Sequence, residues 1–349
     1  MALLTCEGFT KYREDTRTNT TADWKLRAYS NATIYNELKT HPLSGRFLTN
    51  TVNTAYLAIF GVDTPAAQAT YIVNFNFIIQ GDDISDTEEL IAFNSYDAQE
   101  FTLDYQAKTG FLQVSRGATL LATADGPYLK TNQWYHIEVK VTLNDTTGAY
   151  EVRLDGKNVL SDTNVDTLSS STRIGNIRVW GDPFEQHGIA DLLVMDGEGS
   201  SLNDFIGQHH IETILPDGDG NRNDWTPDSG LTNYTQVDDG LSPDFDTSYV
   251  ESSTAGQDEL YTFAALTQTA NTIRGVMVNV WGKPSDAGWR TVRGLARSST
   301  SESTGTQSMT FNEDRYRLQQ SFIEQNPNGP AAWTESAVNA AEFGFELDN

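Results

Sequence analysis

Apolar and polar side chains alternate in steps of two over long stretches of this chain, most regularly from about residue 70 to 195. Between Trp134 and Val141, Tyr135, Ile137, Val139 and Val141 fall on one side and His136, Glu138 and Lys140 on the other, the pattern of a strand with one buried and one wet face. The turn residues Asn144-Asp145-Thr146-Thr147-Gly148 follow. Tyr150, Val152 and Leu154 then point inward and Glu151 and Arg153 outward until Asp155-Gly156 reverses the chain, which predicts an antiparallel meander. Upstream, Tyr71, Val73, Phe75, Phe77 and Ile79 make a second apolar face, and short strands are predicted around 90–93, 101–105, 111–115 and 119–122. Two more are predicted at 174–180 and 189–195. Strands recurring every 8–12 residues or so, with Gly and Asp between them, predict an all-β sandwich and not parallel βα units.

From Pro216 to Pro243 the alternation breaks into Asp-Gly-Asp-Gly-Asn, Thr-Pro-Asp-Ser-Gly and Asp-Asp-Gly clusters, which read as a linker or long loop. A second domain is expected beyond it, with strands at 273–281, 289–296 and 316–324. Near its end Thr334 caps a short helix in which Ala337, Val338 and Ala341 share a face, and 343–347 closes as a strand. The predicted organisation is a sandwich domain over residues 1–212 and a smaller β-rich domain with a short helix over 213–349.

Composition narrows the partners. Forty-eight Asp and Glu against 23 Lys and Arg leave a formal charge of -25, which repels phosphate backbones and anionic lipid, so nucleic acid is not an expected partner. With Cys6 as the single cysteine there is no disulfide framework or thiolate metal cage. The opening residues lack a basic region and a long apolar run, and no stretch approaches the roughly 20 apolar residues of a membrane helix. Folding in a reducing cytoplasm is expected, without membrane insertion.

Several segments carry a resemblance. Gly110-Phe-Leu-Gln-Val, Asn132-Gln-Trp-Tyr-His-Ile-Glu-Val-Lys-Val, Gly148-Ala-Tyr-Glu-Val-Arg-Leu-Asp-Gly, Ile174-Gly-Asn-Ile-Arg-Val-Trp and Ile189-Ala-Asp-Leu-Leu-Val-Met-Asp occur in the order seen in laminin-G or concanavalin A-like domains. Residues 5–212 resemble that family, which implies a jelly-roll of two curved antiparallel sheets. The second half, through Asp224-Trp-Thr-Pro, Asp246-Thr-Ser-Tyr-Val, Gly256-Gln-Asp-Glu-Leu-Tyr, Ile273-Arg-Gly-Val, Asn326-Pro-Asn-Gly and Val338-Asn-Ala-Ala-Glu-Phe-Gly, resembles a C-terminal module of tailed-phage and gene-transfer-agent virion proteins.

Candidate chemistry is sparse. Sandwich glycosidases of the laminarinase-like branch carry Glu-x-Asp-x-x-Glu on one strand, and that spacing occurs nowhere here, so no catalytic residue is assigned and the chain is expected to be non-enzymatic. His136, His209 and His210 lie outside any His-x-x-x-His spacing and read as structural or surface residues. Asp217, Asp219, Asn221, Asn223 and Asp228 approach the ligand spacing of a calcium loop, but Arg222 stands where the loop needs Gly, and an acidic linker is the competing reading. No cofactor is therefore assigned, with calcium kept as an alternative. Trp180, with Asp182 behind it, is the aromatic platform a sugar would stack on, against a plain core-edge role. Arg290, Arg293 and Arg297 gather positive charge in an acidic chain and are candidate contacts to a neighbouring subunit, against a solvated strand face.

Taken with the resemblance, these readings predict a virion structural protein displayed on the particle surface as a capsid decoration, head fibre or tail-associated component. Other virion proteins and further copies of itself are the expected partners, and host-surface carbohydrate an additional one. A calcium-assisted lectin and a polysaccharide hydrolase are the alternatives.

Overall fold

A computed structural model describes strand segments at 3–7, 26–29, 34–35, 48–50 and 56–60, and from residue 69 onward all residues except 80–86, 96–97, 107–108, 127, 180–186, 199–201, 240–243, 287, 313–314 and 330. The protein divides into two compact units, Met1–Ile211 and Glu212–Asn349. Strands dominate both, and the fold class is all-β.

The first unit is a two-sheet antiparallel sandwich. Its eight-stranded sheet runs Lys157–Val165, Gly148–Leu154, Trp134–Thr142, Thr70–Ile79, His187–Met195, Leu48–Asn50 and Ile34–Tyr35, with Leu3–Glu7 also paired to His187–Met195. The seven-stranded sheet runs Thr119–Thr123, Phe111–Arg116, Gln99–Gln106, Thr87–Asn94, Asn176–Val179, Tyr56–Phe60 and Leu26–Tyr29. The alternating residues meet between the sheets: Val73, Phe75, Phe77, Ile137, Val139 and Val152 from one, Ile91, Phe93, Phe101, Leu103, Leu112 and Val114 from the other. Ring pairs Phe77–Tyr105 and Phe101–Tyr150, with centroids 6.4 and 5.7 Å apart, stitch the layers together.

One expectation fails in this unit. The face of the first sheet that the polar alternation assigns to water is covered, so that His136 is 3% and Glu138 1% exposed, and Asn74 and Asn76 on the adjacent strand are 0% and 1% exposed. The cover is the segment 202–211, which is hydrogen-bonded to this face. Thr70–Ile79 is consequently buried on both sides.

The second unit has a five-stranded sheet in the order Pro216–Asn223, Asp258–Phe263, Glu342–Leu347, Arg290–Ser298 and Ser301–Phe311. A two-stranded ribbon, Val276–Gly282 with Arg317–Ile323, packs Val278 and Ile323 against Ala296, Trp333 and Phe343. The helix Glu335–Asn339 begins where predicted, with the Thr334 hydroxyl accepting from the Ala337 N–H at 3.2 Å. Two features differ from the sequence reading. Pro216–Asn223, expected as linker, is an edge strand, and Ser301–Phe311, too polar to stand out, is a strand of 11 residues. Gly344 sits in the middle strand where any Cβ would overlap the Glu259 carbonyl, so tight pairing there requires glycine.

Candidate functional site

On the seven-stranded sheet the residues alternating with the core point away from it and build a polar face. Antiparallel pairing sets Glu89 opposite Asp104, Ala92 opposite both Thr102 and Arg178, Asn94 opposite Asn176, and Asp104 opposite Gln113. Bulges after Glu89 and Phe93 shift the register of Thr87–Asn94. The floor is buried, Ala92 at 0% and Thr102 at 3%, while the charged groups above it stay half-buried.

The groups on this face are tied to one another. Glu89 accepts from Arg178 Nε at 2.5 Å and Nη2 at 2.6 Å, a two-pronged pair, and from Gln99 Nε2 at 2.6 Å. Asn94 donates to Asn176 at 3.0 Å. Asp104 accepts from the Thr102 hydroxyl at 3.0 Å. Burial, reinforced by the neighbouring Glu89 charge, pushes the Asp104 carboxyl up to about 7, against the opposing pull of Thr102 and Arg178. Two carboxyl groups side by side thus sit in unlike surroundings, one clamped by a guanidinium and one close to losing its charge at neutral pH.

A second polar cluster lies under the 202–211 segment. Glu138 Oε1 accepts from the Ile206 and Gly207 N–H groups at 3.1 and 2.9 Å. Asn76 donates to Asp191 at 2.9 Å and is bonded to His136 Nδ1 at 3.1 Å. Asp191, in the left-handed region at φ 53, accepts from the Ile211 N–H at 3.0 Å and lies 3.3 Å from His210. His209 is bonded to the Asp191 carbonyl at 2.8 Å and stacks edge-on to His136 at 5.5 Å. Burial and the His136 neighbour lower the affinity of His209 for a proton. Solvent has almost no access to His136, Glu138 or Asp191, so a large ligand has no path to them. The cluster anchors the covering segment. Glu100 plays a comparable part elsewhere, taking N–H bonds from Ser169, Ser170 and Ser171 at 2.8, 2.7 and 3.0 Å, and the Ser170 hydroxyl and N–H, with the Ser95 hydroxyl and the Ser169 N–H, hold its carboxyl below the usual range against the raising effect of burial.

The residues singled out from sequence fare differently. Trp180 and Asp182 lie outside the described residues. Arg290, Arg293 and Arg297 stand on one strand, and each is paired within its own unit: Arg290 with Asp286 at 2.6 Å, Arg293 with Asp348 at 2.9 Å, Arg297 with Glu302 and Glu342 at 3.3 Å. The acids of the supposed calcium loop belong to the edge strand instead. Asp217 accepts from Thr262 at 2.7 Å, Asp219 from the Tyr234 N–H at 2.7 Å, and Asn221 is bonded to Glu342. Residues two apart along an extended strand stand roughly 6–7 Å from one another, and each of these three is engaged by a different neighbour, so they do not converge on one ion. Among the described residues no group of three or more His, Cys, Asp or Glu is placed to hold a metal.

The Glu89–Asp104 pair was invisible in the linear sequence because its members come from different strands, 15 residues apart in number, with a bulge between. Asp104 stood between Leu103 and Tyr105 on a predicted strand, but Glu89 followed Glu88 just ahead of the strand predicted at 90–93, so the sequence carried no usable signal for the pair.

No family model matches this chain, and no curated protein matches it in sequence. Among solved structures it is similar to an endo-β-1,4-glucuronan lyase from the fungus Trichoderma reesei, at 12% identity and TM-score 0.41 over 51% of this chain and 93% of that one. A cellulose-induced protein, Cip1, is similar at 13% identity and TM-score 0.39 over 54% of this chain and 96% of that one. A Trypanosoma rangeli sialidase is similar at 11% identity and TM-score 0.37, over 53% of this chain and 30% of that one. The expectation of a non-enzymatic chain is corrected at this point. Two of the neighbours carry enzyme names, a lyase and a sialidase, and a fold by itself excludes no catalysis.

Proposed function

We propose that the protein engages glycans through the polar face of its seven-stranded sheet. The observation that carries this reading is the tied array of Glu89, Arg178, Gln99, Asp104, Asn94 and Asn176 above a buried floor. Sugars are recognised by planar donors and acceptors fixed in advance, because a hydroxyl exchanges water for a protein partner favourably only when that partner needs no reordering. Trp180 and Asp182 follow Arg178 in sequence by two and four residues and extend the proposed contact with an aromatic surface. The setting we propose is the surface of a virion, on the strength of the resemblance in residues 213–349.

Two measurements test this. Binding of the whole protein to immobilised bacterial surface polysaccharides is expected, weakened about tenfold or more by Arg178→Ala and by Trp180→Ala. Absence of binding across capsular, exopolysaccharide and lipopolysaccharide preparations would sink the glycan reading. Labelling of purified particles with an antibody to this chain tests the setting, and unlabelled particles would exclude it.

A further inference from the structure

We infer that the Glu89–Asp104 pair makes this face hydrolytic, cleaving glycosidic bonds with Asp104 as proton donor and Glu89 as nucleophile. The inference rests on the glycan reading above and adds a reaction to it.

Geometry comes first. Glu89 and Asp104 are directly opposite each other on neighbouring antiparallel strands, on the side away from the core. Residues so placed have Cβ atoms roughly 4.5–5.5 Å apart. Both carboxyl groups thus reach one glycosidic bond, and the route inferred is the retaining one, in which carboxyl groups about 5–5.5 Å apart serve and one of them bonds to the sugar, a choice that the product configuration tests. Their surroundings then divide the roles. Among the described residues, three of the roughly four lone-pair positions of the Glu89 carboxylate are taken by Arg178 and Gln99, and only one of those three bonds is to Oε1, which leaves Oε1 as the oxygen placed for attack. The same donors hold the Glu89 carboxyl in one orientation. Among the described residues Asp104 has a single hydrogen-bond donor, Thr102, and burial keeps a proton on it up to about pH 7. Arg178 is a positioning residue.

The steps balance. Asp104 gives its proton to the glycosidic oxygen as the bond from that oxygen to the anomeric carbon breaks, and the leaving sugar departs as an alcohol. Glu89 Oε1 bonds to the anomeric carbon and forms an ester. Asp104, now a carboxylate, takes a proton from water while the water oxygen attacks the anomeric carbon. Glu89 leaves as a carboxylate and Asp104 is protonated again. One glycosidic bond and one water are consumed, and one new reducing end appears without any redox change.

The test uses the whole protein with soluble bacterial capsular polysaccharides and exopolysaccharides, assaying bound polysaccharide and reducing ends separately between pH 4 and 9. Cleavage is expected to fall on the alkaline side near pH 7, and proton NMR should show the first product with the anomeric configuration of the substrate. Asp104→Asn should lower cleavage at least 100-fold, the usual worth of a general acid. The Asn variant removes a charge that burial disfavours, so it is expected to fold. Glu89→Gln should abolish cleavage, and Glu89→Ala with added azide should regain turnover as a glycosyl azide. Binding without cleavage by the parent protein, an unsaturated product in place of a simple reducing end, or an Asp104→Asn variant as active as the parent would each overturn the inference while leaving the glycan reading intact. Failure to bind any of these polysaccharides would overturn both.

Discussion

Asp104 and Glu259 show how one shift in acidity can have opposite structural meanings. Each is pushed up to about 7, chiefly by burial. For Asp104 the native state keeps a proton that the unfolded chain has already released between about pH 4 and 7, so its contribution to stability declines as pH rises through that window and is at its worst above 7. Asp104→Asn is therefore expected to stabilise the protein at pH 8 by about 2 kcal/mol, with the gain vanishing at pH 4, and urea titrations at both pH values check it. Glu259 is fully buried but takes bonds from the Trp225 N–H at 3.1 Å and from Asn233 Nδ2 at 2.8 Å, on different oxygens. Glutamine offers one oxygen where two donors need one each. Glu259→Gln should thus cost about 1–3 kcal/mol at pH 8, measured the same way, and a stabilised variant would contradict the assignment of these bonds.

At the scale of elements, the segment 202–211 is held by side chains rather than by strand pairing. The Glu138 carboxyl is depressed, because its bonds to His136, Gly207 and Ile206 outweigh burial, so its support is present above the ordinary Glu range and lost as pH falls through the lowered value. His209 is depressed as well. Its support is complete above the unfolded value near 6.5 and declines as pH falls below it, since the unfolded chain then binds a proton that the native state resists. Both signs agree. Amide exchange at Ile206, Gly207 and Ile211, corrected for intrinsic rates, is predicted to speed up from pH 7 to pH 4, and Glu138→Ala should produce the same opening at pH 7 at a cost of about 2–4 kcal/mol. Uniform protection across that range would refute it. The meander was legible because Tyr135, Ile137, Val139, Tyr150 and Val152 alternate without interruption, and the short helix because Thr334 caps it. The covering segment was not, since His136 and Glu138 in a buried network have the same spacing as they would in water. Pro216–Asn223 was misread for a different reason: Gly218 and Gly220 look like turn residues, but a Cβ at either would press on Thr262 or on the Leu260 backbone, so they are there to let two strands approach.

For the whole molecule, each unit has a core of its own, Val73 and Phe101 among the residues of one, Trp333, Phe343 and Phe345 among those of the other. Residues 212–349 expressed alone are expected to fold, with a β-type circular-dichroism spectrum and a cooperative melt, and a fragment lacking such a melt would show that its core needs the rest of the chain. Substituting Gly344 by Ala in that fragment should abolish the melt, because the middle strand cannot then close on its neighbour. The anchoring of 202–211 also has a mechanical side. That segment ends where the first unit gives way to the second, so tension entering from the second unit reaches the grips of Glu138 and Asp191 before it reaches the strand His187–Met195. A stretched molecule should yield first by peeling, lengthening by roughly 35 Å as about ten residues straighten, while the layers behind stay shut.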